Sequence, residues 1–215
     1  MKIKYLAHSS FLITSESGVK IITDPYTRNE RMQYGEIKET ADVVTVSHEH
    51  GDHNNTTAVQ GKPTVLREGG TIKGITFQAF PAHHDDAGGQ QRGNVTIFCF
   101  EVDGIRVCHL GDLGHPLDKA QVAALGRVDV LLLPVGGYYT IDAAVASRVA
   151  AAIQPKLLLP MHYKTAKSGL PISGVDEFLR DKPRETVSRL EVSELEVKRD
   201  KLPAATQIVL LKPAR

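Results

Sequence analysis

The chain has 215 residues, with 26 Lys plus Arg against 25 Asp plus Glu for a net charge of +1, and with 41% hydrophobic and 24% charged residues. Such a composition excludes a fibrous or disordered chain, and the length is ample for one large core. The balanced charge and the lack of a basic run argue against a nucleic-acid partner, and no apolar stretch reaches the roughly 18 residues that a membrane span requires.

One domain over residues 1–215 is the expectation. The opening MKIKYLAHSSFLI meets His8, Ser9 and Ser10 where a signal peptide would carry a continuous apolar run, so a cytoplasmic protein acting on a small molecule is predicted. Homo-oligomerisation is left open.

In chain order, β-branched or apolar runs predict strands at 3–6, 11–14, 19–23, 43–46, 64–66, 75–80, 95–102, 105–110, 128–133, 156–159 and 207–211. Turns are expected at Glu16-Ser17-Gly18, Gly69-Gly70 and Asp103-Gly104. The last of these would set Cys99 opposite Cys108 across a hairpin. A bridge between them is geometrically conceivable, while two reduced thiols packed as small hydrophobes are the expectation for a cytosolic chain. Helices are predicted after Asp118, ending at Gly126, and after Asp142, where 143–153 stops before Pro155; both have carboxylate N-caps. A third is predicted over 174–179 with Ser173 as its cap, and the charged stretch 180–199 is assigned no element. Many strands, few helices and their alternation in the second half point to layered sheets covered by helices.

The chemistry concentrates in Ser47-His48-Glu49-His50-Gly51-Asp52-His53, directly after the apolar run 41–46. In extended chain His48 and His50 fall on one side, so both imidazoles could serve one ion. Gly51 permits a change of direction, after which Asp52 and His53 could face a second. Four donors cannot fill two sites. Three later segments each present His or Asp at the end of an apolar run: Ala82-His83-His84-Asp85, His109-Leu110-Gly111-Asp112 and Pro160-Met161-His162. Imidazole with carboxylate suits zinc, with manganese or iron as alternatives.

With these residues the chain resembles the metallo-β-lactamase superfamily over roughly residues 3–165, and within it the small bacterial hydrolases related to ascorbate-phosphate lactonases. The stretches His109-Leu110-Gly111-Asp112-Leu113-Gly114-His115 and Pro160-Met161-His162-Tyr163-Lys164 are especially similar to that group. The resemblance implies a four-layered αββα sandwich, two mixed sheets flanked by helices. It also implies a pair of divalent ions, the first held by His48, His50 and His84, the second by Asp52, His53 and His162, with Asp112 bridging. His84 is chosen over His83 because Asp85 completes the group's His-Asp pattern. Asp24, before Pro25, reads either as the acid that orients a metal-bound imidazole or as a turn-initiating Asp. His8, His109 and His115 are not needed as ligands: His8 resembles a family position near the metal cleft but reads as structural, His109 reads as a buried, hydrogen-bonded group, and His115 as either an exposed loop residue or a contact to substrate.

A water shared by two dications ionises near neutral pH, its pKa falling from about 15.7 to about 7, which supplies a nucleophile without Ser or Cys. Asp52 could then pass a proton to the leaving group. Arg92 in a loop expected to be mobile, Tyr138 and Lys164 are the candidate substrate contacts. The predicted activity is hydrolysis of a small ester, lactone or phosphate-bearing substrate. A metal-dependent nuclease or phosphodiesterase and a non-catalytic metal sensor are the alternatives.

Overall fold

The computed structural model describes residues 1–215. The strands in chain order are β1 (Lys2–Ala7), β2 (Ser10–Thr14), β3 (Lys20–Thr23), β4 (Val43–Thr45), β5 (Thr64–Leu66), β6 (Gly70–Ile72), β7 (Ile75–His83), β8 (Asn94–Val102), β9 (Ile105–His109), β10 (Val130–Pro134), β11 (Leu157–Met161), β12 (Val187–Arg189), β13 (Glu194–Glu196) and β14 (Gln207–Leu210). They build a six-stranded sheet, β13-β1-β2-β3-β4-β5, and an eight-stranded sheet, β12-β14-β11-β10-β9-β8-β7-β6. Both are mixed: hairpins join β1 to β3 and β6 to β9, while β3-β4-β5 and β9-β10-β11-β14-β12 run parallel.

The period of two in a strand decides what each face buries. Ile21 and Val43 point into a cluster of 44 buried residues shared with the eight-stranded sheet, while their neighbours Ile22 and Val44 point into a second cluster of 10 on the other face. β10, covered on both faces, is correspondingly apolar along its whole length. Helices α1 (Lys119–Leu125), α2 (Ala143–Ile153) and α3 (Val175–Leu179) send Leu125, Val149 and Phe178 into the large cluster. The outer face of the six-stranded sheet is covered differently. Tyr26, Met32, Tyr34 and Ile37 from an irregular segment and Val59 beside a single 3₁₀ turn close it. The architecture is therefore the αββα sandwich with few helices, and none is long and apolar enough to cross a membrane.

Asp118 caps α1 in a reciprocal box with Gln121, and Asp142 accepts the Val145 N–H at the start of α2. The predicted cap of α3 is corrected: Gly174 occupies that position without a side-chain hydrogen bond. Ser173 is instead tied down by its main chain, donating to Gly136 O and accepting from Lys164 N. Gly69-Gly70 is not the hairpin turn either. Gly70 opens β6, and the chain reverses at Lys73-Gly74, both with positive φ, as Asp103 and Gly104 do in the next hairpin. Cys99 and Cys108 are cross-strand partners there, both buried with free thiols.

Candidate metal centre

The functional loops leave the C-terminal ends of six strands. His8 follows β1, Asp24 follows β3, Ser47–His53 follows β4, His84 follows β7, Asp112 follows β9 and His162 follows β11. β4 ends at Thr45, so it is a turn, not the strand's alternation, that brings His48 Nε2 within 3.0 Å of His50 Nδ1.

Two close approaches need glycine. A Cβ on Gly114 would lie 2.2 Å from the carbonyl carbon of His84, and one on Gly136 would lie 2.1 Å from His162 O. Any side chain at either position would push a functional histidine out of place.

Asp24 settles its two readings in favour of orientation. Fully buried and at φ +37, it accepts Ser47 N–H at 2.8 Å, Ser47 Oγ–H at 2.5 Å and His53 Nδ1–H at 2.8 Å. Because Ser47 Oγ gives its proton to Asp24, it accepts from His48 Nδ1, 3.0 Å away. One carboxylate thus fixes the tautomer of both His48 and His53 and leaves each Nε2 with a free lone pair.

These lone pairs meet at Asp112. Its Oδ2 lies 3.1 Å from His53 Nε2, 3.3 Å from His84 Nε2, 3.3 Å from His162 Nε2 and 3.9 Å from His48 Nε2. His53 Nε2 is also 3.6 Å from Asp52 Oδ2. Ligands about 2.0–2.1 Å from a tetrahedral ion stand about 3.3 Å apart, and the separations here bracket that value. Three groups of donors lie within 4.8 Å of one another: His48 with His50 and His84, Asp52 with His53, His162 and His8, and Asp24 with His48 and His53, the last being the orienting carboxylate and the two imidazoles it fixes.

Three observations fit the cluster to metal ions. No Lys or Arg pairs with Asp24, Asp52 or Asp112, although Asp24 and Asp112 are buried, and a buried carboxylate is stable only when paired or coordinated. His53 Nε2 and Asp112 Oδ1 are buried without a hydrogen-bond partner. The protonation states of Asp112, Asp52 and His48 also suit ligation. Burial would raise the pKa of Asp112, but His162 and His53 outweigh it and hold the carboxyl well below the usual range. Asp52 is held down in the same way, chiefly by His53 and His8 against its own burial. Burial, then the neighbouring His53, pushes His48 down to about 3. His53 goes the other way, because Asp112 and Asp52 override its burial and raise it.

His8 is the residue that sequence reasoning left out of the cluster. It is fully buried, with Nε2 3.1 Å from Asp52 Oδ2 and its ring centroid 4.1 Å from that of His162. Burial and the nearby His162 lower its pKa to about 4, so it is neutral at pH 7. Its position just past β1 was the available signal.

Of the adjacent pair, His84 joins the cluster, while His83 points away to Asn94 Oδ1, 3.0 Å distant. His109 is buried, donating Nε2–H to Ser9 O at 2.8 Å and accepting Gly111 N–H at Nδ1. His115 accepts His83 N–H and donates to Pro116 O, which makes it a brace between loops.

The cluster opens into a cleft of about 720 Å³. Thr27, Asn29 and Arg31 form one wall, tied to the 165–170 loop through Gly169 N to Arg31 O and Gln33 N to Lys167 O. Arg92 and Tyr139 form the other, with the guanidinium carbon 5.8 Å from the ring centroid. Two of the predicted substrate contacts lie outside the lining of this cleft. Tyr138 is 65% exposed in a left-handed turn and leaves the cleft wall to Tyr139, and the exposed Lys164 donates to Leu170 O at 3.0 Å. The loop bearing Arg92, expected to be mobile, is bonded along its length to one side chain. The carboxylate of Asp85 accepts the N–H groups of Ala87, Gly89, Gln91 and Arg92, which overcome the effect of burial and lower its pKa to about 2.

Known proteins agree with this geometry. The profile of the β-lactamase superfamily domain matches residues 2–162, ending on His162. A UPF0173 metal-dependent hydrolase from Carboxydothermus hydrogenoformans is 31% identical, the match covering 77% of this chain and 85% of that one. Another from Archaeoglobus fulgidus is 32% identical over 77% and 84%. The crystal structure of a candidate Zn-dependent hydrolase of the metallo-β-lactamase superfamily from Thermotoga maritima shares 36% identity and superposes with a TM-score of 0.80, covering 98% of this chain and 97% of that one. The chain therefore belongs to the metallo-β-lactamase superfamily and is one of its metal-dependent hydrolases.

Proposed function

We propose that residues 1–215 act as one hydrolase unit on a small ester, lactone or phosphate-bearing substrate with two divalent ions, of which zinc fits the donor set and is named for the Thermotoga protein. The observation that carries this reading is the convergence of four imidazole nitrogens on Asp112 Oδ2, flanked on one side by the group His48, His50 and His84 and on the other by the group Asp52, His53 and His162. His48, His50 and His84 would hold one ion, Asp52, His53 and His162 the other, and Asp112 both. When bound, such a pair supplies an ionised water at neutral pH and polarises the attacked oxygen.

The remaining work falls to the chain. Asp24 and Ser47 keep His48 and His53 in the tautomer that presents Nε2. Asp52, partly open to the cleft, is placed to take up a proton and return it to the leaving group. Arg92, half-buried on Tyr139 and free of a carboxylate partner, offers its guanidinium to an anionic part of the substrate. A cleft with these two Arg walls and a single aromatic ring lacks the stacking platform of a nucleic-acid groove.

The test is metal analysis joined to turnover. The purified protein should carry close to two transition-metal ions per chain, and His50→Ala or Asp112→Ala should abolish hydrolysis of generic ester and phosphodiester substrates. Turnover in the metal-free protein would refute the proposal, and full metal content without activity over a broad panel would favour a sensor.

A further inference from the structure

The seven proposed ligands do not include His8, yet the fold fixes its main chain and buries its side chain, whose Nε2 has a partner and whose Nδ1 has none. It stands in the β1–β2 turn at φ +57, a left-handed conformation that costs about 1 kcal/mol or more for a residue with a Cβ. Four donors hold the turn in that shape. Tyr5 OH, at 3.0 Å, and His162 N–H, at 2.9 Å, both donate to His8 O. His109 Nε2–H, at 2.8 Å, and Thr23 Oγ1–H, at 3.2 Å, both donate to Ser9 O. The consequence is a side chain with no exposed surface, aimed between His53 and His162 and ending 3.1 Å from Asp52 Oδ2.

Asp52 needs such a partner. It is a short carboxylate on a turn, with a quarter of its side chain exposed, and nothing but His8 hydrogen-bonds its Oδ2. Without that bond the carboxylate is free to rotate into the cleft, towards solvent.

We propose that His8 is a positioning residue for the second ion, its Nε2–H holding Asp52 Oδ2 towards His53 and His162 while its carbonyl holds the His162 main chain. A single turn therefore sets two of that ion's ligands at once. The role rests on the two-ion reading above, and it makes His8 a partner of a ligand instead of a ligand.

The test is a double-mutant cycle on the full chain, read as Zn²⁺ affinity by competition with a chromophoric chelator and as the Co²⁺ absorption spectrum. The variants are His8→Leu, His8→Gln, Asp52→Asn and the His8→Leu/Asp52→Asn pair. His8→Leu should weaken one ion by about 10- to 100-fold, the usual effect of losing a group that orients a ligand. His8→Gln, which keeps an amide N–H near the Nε2 position, should hold that ion to within about threefold of wild type, with the wild-type Co²⁺ spectrum. In the Asp52→Asn background, His8→Leu should add less than about twofold, the scatter within which independent effects combine in such cycles. Equal losses in His8→Gln and His8→Leu would overturn the proposal by making the imidazole itself a ligand. Additive losses in the cycle would overturn it by reducing His8 to packing, as would wild-type affinity in His8→Leu. Where His8→Leu fails to fold, His8→Gln decides alone. The cycle is read on whichever ion Asp52 binds, so a wild type holding only one ion would defeat the two-ion reading and leave the His8–Asp52 coupling measurable.

Discussion

The two donor groups are built to different standards. In the second, Asp24 orients His53, His8 holds Asp52, and the His162 main chain is tied to His8 O. In the first, only His48 is oriented by a carboxylate, through Ser47, and His50 is exposed at the cleft; the Nδ1 of His84, like that of His162 in the second, has no partner. Preorganised ligands lose little freedom on binding, whereas a mobile one must be ordered by the ion itself. The second half should therefore keep its ion more tightly, and the first should be the half that exchanges and meets substrate.

The largest effect is expected where the two halves share a residue. Asp112→Ala should empty both, with metal content near zero by elemental analysis and no turnover; an ion retained at full occupancy would break the account of a shared carboxylate. Gly136→Ala comes next and acts on the second half alone, since its Cβ would meet His162 O at 2.1 Å. Overpacking of this kind costs about 1–3 kcal/mol, to be seen as a lowered Tm, and the loss of one ion should accompany it.

Asp24→Asn should weaken both halves by about 10- to 100-fold in metal affinity, because an amide has one accepting oxygen where the carboxylate has two, and cannot take Ser47 N–H on one side and both Ser47 Oγ–H and His53 Nδ1–H on the other. A loss confined to one ion would show that the Ser47 relay to His48 is idle. Smaller again is Arg92→Ala, which touches no ligand. It should raise KM for an anionic substrate by about tenfold, the worth of one charged hydrogen bond, while leaving kcat and metal content unchanged.

The smallest effect lies outside both halves and serves as a control. Glu39 bonds Lys4 at 3.0 Å and pairs with Arg215; these partners outweigh burial and lower its pKa from 4.5 to about 2. A carboxyl depressed in the folded state stabilises above its unfolded pKa and loses that contribution as pH falls through the folded one. Glu39→Gln should thus cost on the order of 1 kcal/mol at pH 7, with the difference in Tm closing between pH 4.5 and 2 and metal content untouched.

What the sequence made legible follows the same physics. The apolar runs of β8, β9 and β10 and the carboxylate caps of α1 and α2 are strong local signals, and the structure has these elements. β12 and β13 were not predicted, because each is three residues long at a sheet edge and carries Arg, Ser or Glu where a central strand would be apolar. In the site, the H-x-H-x-D-H spacing marks its own loop, but His8 and Asp24 reach it from left-handed turns after β1 and β3, outside that spacing. Tyr138 and Tyr139 show the limit of local reading. Adjacent in sequence, they differ only in which of them the turn directs into the cleft.

Anomalous diffraction at the metal edge, from crystals of the metal-loaded protein, tests the central claim most directly. The account predicts two peaks about 3.5–4 Å apart on either side of Asp112, one within about 2.2 Å of nitrogens of His48, His50 and His84, the other within the same reach of Asp52, His53 and His162. A single peak, or two that leave His84, Asp112 or His162 uncoordinated, would contradict it.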